Sequence, residues 1–133
     1  MPTPFASAST ARAKLALAAT MFNAALLGSP SLIAGEVKRT EPMLPHQGYS
    51  REHCVNAPNG STLDFRFEGA QPVDFNIHHH PDKGDTVFAV RKNAVASLAK
   101  AVPIKEGGEY CFQWTNPADR AAKFPITVTY QIK

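Results

Sequence analysis

Apolar and polar residues alternate one for one along four separate stretches, and no other feature of this chain limits its fold so strongly. In 62–68, Leu63, Phe65 and Phe67 alternate with Asp64, Arg66 and Glu68, and in 73–78, Val73, Phe75 and Ile77 alternate with Asp74, Asn76 and His78. Tyr110, Phe112 and Trp114 interleave with Cys111, Gln113 and Thr115, while Ile126, Val128, Tyr130 and Ile132 interleave with Thr127, Thr129 and Gln131. Successive side chains of a strand point to opposite faces, so each stretch reads as a strand with one buried and one wet face. Thr86–Val90 reads as a further short strand, buried on both faces. The run 93–100, NAVASLAK, fits an Asn-capped helical turn or an irregular edge strand, and its alanines favour the helical turn.

Breaker clusters separate these runs: Pro58-Asn59-Gly60, Glu68 to Pro72, Pro81 to Gly84, and Glu106-Gly107-Gly108. Short alternating strands punctuated this way predict an all-β chain, a small antiparallel β-sandwich over residues 51–133. Residues 35–50, with Pro42, Pro45 and Gly48, read as an extended lead-in arm.

The first 34 residues belong to a different class. Arg12 and Lys14 precede the apolar run Leu15–Leu27, and the small-residue stretch from Gly28 to Gly35 follows it. A basic start, an apolar centre and a small-residue exit make a signal peptide, with cleavage expected at about 31–35. An uncleaved span over 15–34 is disfavoured by Asn23, Gly28 and Pro30. The expected mature protein is therefore exported, periplasmic or secreted, with no stable membrane anchor. Without Arg12 and Lys14 the 14 basic residues fall to 12, against 11 acidic ones. That near-neutral balance gives no support to nucleic-acid or anionic-membrane partners.

Both cysteines, Cys54 and Cys111, lie in the mature part. In an oxidising compartment an even pair most simply means one disulfide. Neither cysteine has a CxxC partner or the closely spaced His and Met of a blue-copper site.

The stretch Gly108-Glu109-Tyr110-Cys111-Phe112-Gln113-Trp114-Thr115-Asn116 resembles the G-x-Y-x-x-C-F-x-N strand of GOLD domains, the lumenal part of cargo receptors of the early secretory pathway. The runs Gly60–Phe65 and Val73–Ile77 look similar to that family too, so the resemblance covers about 51–132. It implies a GOLD- or jelly-roll-like sandwich used for binding, and a bridge between Cys111 and a cysteine near the domain's start, where Cys54 lies. Cys111 stands two positions earlier than the family pattern places it, on the same strand face. No coiled coil, span or sorting tail follows Lys133, so the trafficking role is not expected to carry over.

The histidine run His78-His79-His80 is the sharpest local feature. On a strand ending at Pro81, His78 and His80 share the polar face with Asp74 and Asn76, about 7 Å apart. Asp82 or Asp85 from the turn, or His53 or His46 from elsewhere, would complete a shell for zinc, copper or nickel. Against this stands the plainer reading, solvated His78 and His80 at a strand end with His79 hydrogen-bonded beneath. Imidazoles titrating near neutrality also offer a pH-sensitive contact. Catalytic signatures are missing: Ser61 and Ser97 lack a nucleophile elbow, and neither an H-E-x-x-H pair nor a phosphate-binding glycine loop occurs. The aromatics fall at core spacing, with Trp114, near a strand end, retained as a candidate surface contact. The expectation is a non-enzymatic, cofactor-free module binding a protein or small ligand, with a periplasmic metal-binding protein using His78, His80, Asp82 and His53 as the alternative.

Overall fold

Phe67 and Phe75 lie on one strand, where eight residues of straight chain would separate them by about 26 Å. Their rings are 4.6 Å apart. The strand therefore folds over on itself, and this bend organises the molecule.

The computed structural model describes residues 35–133; the signal peptide expected over 1–34 lies outside them. Six strands make up the described residues: β1 Val37–Met43, β2 Ser50–Ala57, β3 Thr62–His79, β4 Val87–Pro103, β5 Gly108–Thr115 and β6 Phe124–Ile132. All pairings are antiparallel, in the order β1-β6-β3-β5-β2, with β4 on the other side of β3. The first half of β3, Leu63–Gly69, pairs with β6, and its second half, Asp74–His79, pairs with β5. Folding at 69–72 lays the β1-β6 side over the β2-β5 side, which is the expected antiparallel sandwich.

Gly69 begins the bend, where a side chain's first carbon would stand 2.7 Å from Ile126 Cδ1 and 3.1 Å from the Gln71 carbonyl. β4 follows β3 around this corner. Glu68 pairs with Ser97 and Val73 with Val95, so five steps of β3 face only two of β4. One residue of that slack returns at Ala94, whose φ is +50° and whose N–H donates to Asp74 Oδ1 at 2.9 Å. Residues 93–100 are thus an irregular edge strand and not the helical turn their alanines favour. Ladder bonds to β3 outweigh a propensity difference of a few tenths of a kcal/mol per residue.

The core is aromatic and lies between the two halves. Phe65, Phe67, Phe75, Phe112 and Trp114 are buried together with Leu63, Val73, Ile77, Ile126 and Val128. Phe65 packs on Phe75 and Phe112 at 5.5 and 5.6 Å. Trp114 is 0% exposed and touches Phe67, Phe75 and Phe112, so it is a core residue and not the expected surface contact. Its parity with Tyr110 and Phe112 carries it inside, and Asn116, also buried, holds the strand end by donating to the Leu44 carbonyl at 3.1 Å.

Residues 37–43, within the expected lead-in arm, form β1 and pair with β6 along their whole length. β1 brings the buried Glu41 beside β2, where its Oε2 accepts from Arg51 Nε and Nη2 at 2.9 and 2.8 Å. Arg39 Nη2 lies 3.2 Å from its other oxygen. Burial alone would raise the Glu41 carboxyl; hydrogen bonds and charge from Arg51 and Arg39 outweigh it and hold the group below the ordinary carboxylate range. Because the folded pKa is lowered, this stabilisation is complete above the ordinary range and is lost as pH falls through the lowered value. We expect Glu41→Gln to cost roughly 1–2 kcal/mol at pH 7, since both arginines stay half-exposed and can be hydrated. Urea midpoints of the two proteins should converge as the carboxyl is titrated; a gap that stays constant into acid would refute the assignment.

Candidate functional site

Strand register gathers a polar row on the outer face of the β4-β3-β5-β2 half. Phe88 pairs with His78, His78 with Cys111, and Cys111 with Cys54. One step along, Asn76 pairs with Gln113 and Gln113 with Glu52. Period-two alternation predicts which residues point outward, but only register sets these side by side.

Cys54 and Cys111 form the expected disulfide, with Cα atoms 4.0 Å apart across directly opposed positions of β2 and β5. Cys54 is half-buried and Cys111 buried. Two carboxylates flank the bridge: Glu52 Oε1 lies 3.2 Å from Cys54 Sγ, and Glu109 Oε1 lies 4.0 Å from Cys111 Sγ.

His78 is 6% exposed, far less than a solvated strand end requires. Its Nδ1 is 2.8 Å from Asn76 Oδ1, and Asn76 Nδ2 in turn donates to Gln113 Oε1 at 2.8 Å. With Asn76 oxygen as acceptor, His78 carries its proton on Nδ1 and turns Nε2 toward Glu52 Oε1, 3.6 Å away. Burial lowers the His78 pKa most; Glu52 and Glu109 push it up, and His80 pushes it down. The net direction is downward, favouring the neutral ring. His80 packs edge-on against His78 with centroids 4.9 Å apart, and its Nδ1 meets Thr86 Oγ1 at 3.2 Å across the 81–85 turn.

The structure brings His78 and His80 together, as the strand parity predicts. It does not bring His53 or Asp82 to them. His53 points to the opposite face, its Nε2 3.0 Å from Tyr130 Oη and its ring parallel to Phe112. Neighbouring residues of a strand face opposite ways, so the half-turn between His53 and Cys54 separates it from the row. Among the described residues, two sets of three donors lie within 4.8 Å: His78, His80 and Cys111, and Glu52, Cys54 and Cys111. Asp82, exposed in the turn, is in neither set. His79 lies on the inner side, buried, stacked on Tyr110 at 4.5 Å, with Nδ1 donating to the Glu109 carbonyl at 2.9 Å.

Sequence reasoning misses the outer end of the row. Val87 and Phe88 are 54% and 45% exposed, although a doubly buried strand is predicted there. Arg91 places its guanidinium 3.7 Å above the Phe88 ring, and the His78 ring lies tilted 6.0 Å from it. Phe88 is therefore presented to solvent at the outer edge of the row, in contact with a cation and beside an imidazole.

No protein-family model matches this chain, and no curated protein does. Among solved structures, the fold is similar to PliG of Aeromonas hydrophila, a periplasmic lysozyme inhibitor of g-type lysozyme. The TM-score is 0.50 at 16% identity, over 74% of this chain and 86% of that one. PliG of Salmonella Typhimurium, likewise a periplasmic inhibitor of g-type lysozyme, gives a TM-score of 0.48 at 13% identity, over 74% of this chain and 91% of that one. At such identities the likeness is one of fold, a β-sandwich-like all-β architecture. The GOLD resemblance receives no support beyond that architecture.

Proposed function

We propose that this chain is an exported, periplasmic and non-enzymatic module that binds a protein of the g-type lysozyme kind, using the free edge of β4 and the Phe88–Arg91 surface beside it. The observation that carries the reading is the edge itself. β4 is 17 residues long and, among the described residues, is paired only with β3. Its outer edge, turned at the corner near Ala94, offers backbone donors and acceptors on both arms, of the kind that take on a partner strand. Arg91, Lys92 and Lys100 are the charged residues of β4, so the edge favours an acidic or hydrogen-bonding partner surface. Phe88 under Arg91 is the kind of exposed, pre-ordered aromatic that carries much of an interface's affinity. The likeness of fold to an inhibitor from Aeromonas supports the choice of target.

The test is titration of the mature protein against a purified g-type lysozyme, by calorimetry and by inhibition of cell-wall lysis. We expect a one-to-one complex that weakens at least tenfold in Phe88→Ala/Arg91→Ala. No binding and no inhibition would overturn the target. A complex untouched by the double substitution would overturn the surface.

A further inference from the structure

The disulfide, His78 and His80 converge on the same outer row, and the function proposed above uses none of the sulfur chemistry. We propose that Cys54 and Cys111, once reduced, join His78 and His80 in a zinc site of two thiolates and two imidazoles, so that the disulfide gates metal binding.

Three observations carry this. First, both three-donor sets among the described residues include Cys111, so neither is complete while that sulfur is bonded to Cys54. Thiolates ligate metals, whereas a disulfide sulfur carries no charge to offer. The oxidised row thus supplies His78 and His80, with the Glu52 carboxylate beside His78, three donors at most where a closed zinc site takes four. Second, two sulfurs and two imidazoles form a donor set that suits tetrahedral zinc, and strand register already places His78, Cys111 and Cys54 in line. Third, His78 is held as a metal ligand is held. Its Nδ1–H donates to Asn76, which is itself fixed by Gln113, and the Nε2 lone pair faces the row. That lone pair stands toward the Glu52 carboxylate, 3.6 Å away, an arrangement that a cation between them relieves.

Opening the gate needs a dithiol reductant. One of its thiolates attacks the sulfur of Cys54, the more exposed of the two residues; the Cys54–Cys111 bond breaks as the new S–S bond forms, and Cys111 leaves as thiolate and takes up a proton. The second thiol of the reductant then attacks the mixed disulfide, releasing Cys54 and leaving the reductant as its own disulfide. Two electrons and two protons pass to the protein. Zinc binding returns the two thiol protons to solution.

The experiment is zinc titration of the mature chain, oxidised and after reduction with a non-ligating phosphine, with cobalt(II) as a spectroscopic stand-in and circular dichroism run alongside. We expect the reduced protein to bind one zinc with release of two protons and to give cobalt–thiolate bands. The oxidised protein should bind at least 100-fold more weakly. Reduced His78→Ala/His80→Ala should lose at least tenfold in affinity, and Cys54→Ala/Cys111→Ala should lose the cobalt–thiolate bands. A reduced chain that unfolds and refolds on one equivalent of zinc supports the site equally. Equal affinity in the oxidised protein overturns the gate. Equal affinity in the reduced histidine variant, or binding by a chain that stays unfolded, overturns the site.

Discussion

Replacing Trp114 with alanine should cost about 3–5 kcal/mol, the range for removing a fully buried aromatic. Domains of this size have net stabilities of roughly 5–15 kcal/mol, so the variant should be marginal or unfolded at 37 °C. The position explains the size of the effect. Trp114 is 0% exposed and sits where the two halves of the sheet meet, in ring contact with Phe67 from one half and with Phe75 and Phe112 from the other. No neighbour can collapse into the space without disturbing three rings. A second substitution separates volume from polarity. Trp114 Nε1 is buried without a hydrogen-bond partner, so Trp114→Phe removes an unsatisfied donor while keeping a ring in place. It should cost less than half as much as alanine. Urea unfolding of the three proteins decides this; equal losses in both variants would mean that packing around the indole ring is not what stabilises the core.

The second large effect is expected from Cys54→Ser/Cys111→Ser. The bridge joins residues 57 apart in sequence. Restricting a loop of that length in the unfolded chain is worth roughly 4 kcal/mol in the chain-entropy model. For a domain of about 100 residues that corresponds to a melting temperature lower by roughly 15–30 °C. The structure specifies how the bridge acts. It links directly opposed residues of β2 and β5, which the ladder already holds together, and does not link one half of the sandwich to the other. Its stabilisation therefore belongs to the unfolded state, and the serines should leave the folded ladder intact on a half-wet face. Scanning calorimetry of the oxidised protein and the double variant measures the difference. A shift of only a few degrees would show that the ladder alone supplies the constraint. If the zinc site forms as proposed, reduced wild-type protein with zinc should melt above the serine variant, which has lost the ligands as well as the bond.

Much of the strand content is legible in the sequence, because alternation is a local property. Leu63, Phe65, Phe67, Val73, Phe75, Ile77, Phe112, Ile126 and Val128 all lie in the core where their parity puts them. The disulfide is legible from cysteine count and compartment. What could not be read depends on partners far along the chain. The cluster Glu68 to Pro72 reads as a turn between two strands, yet it is a corner that one strand takes while its neighbour follows. Residues 93–100 have the composition of a helix and the surroundings of an edge strand, and the surroundings prevail. Phe88 looks like a core residue until β4 is seen to lie at the margin of the sheet. His53 and Asp82 are close to the row in sequence or composition, but one faces the core and the other remains in the turn. Glu52 and Glu109 enter the site through register alone, and no local pattern marks them.

The unbroken passage of β3 and β4 around the corner also bears on how the molecule comes apart. Each half of the sandwich borrows its central strand and one outer strand from the same two segments, so neither half owns a complete set of ladder bonds. Melting one half would strip the other of its middle. The expected behaviour is a single cooperative transition, with amides of β3 on both sides of residues 69–72 exchanging with solvent at one common, slow rate.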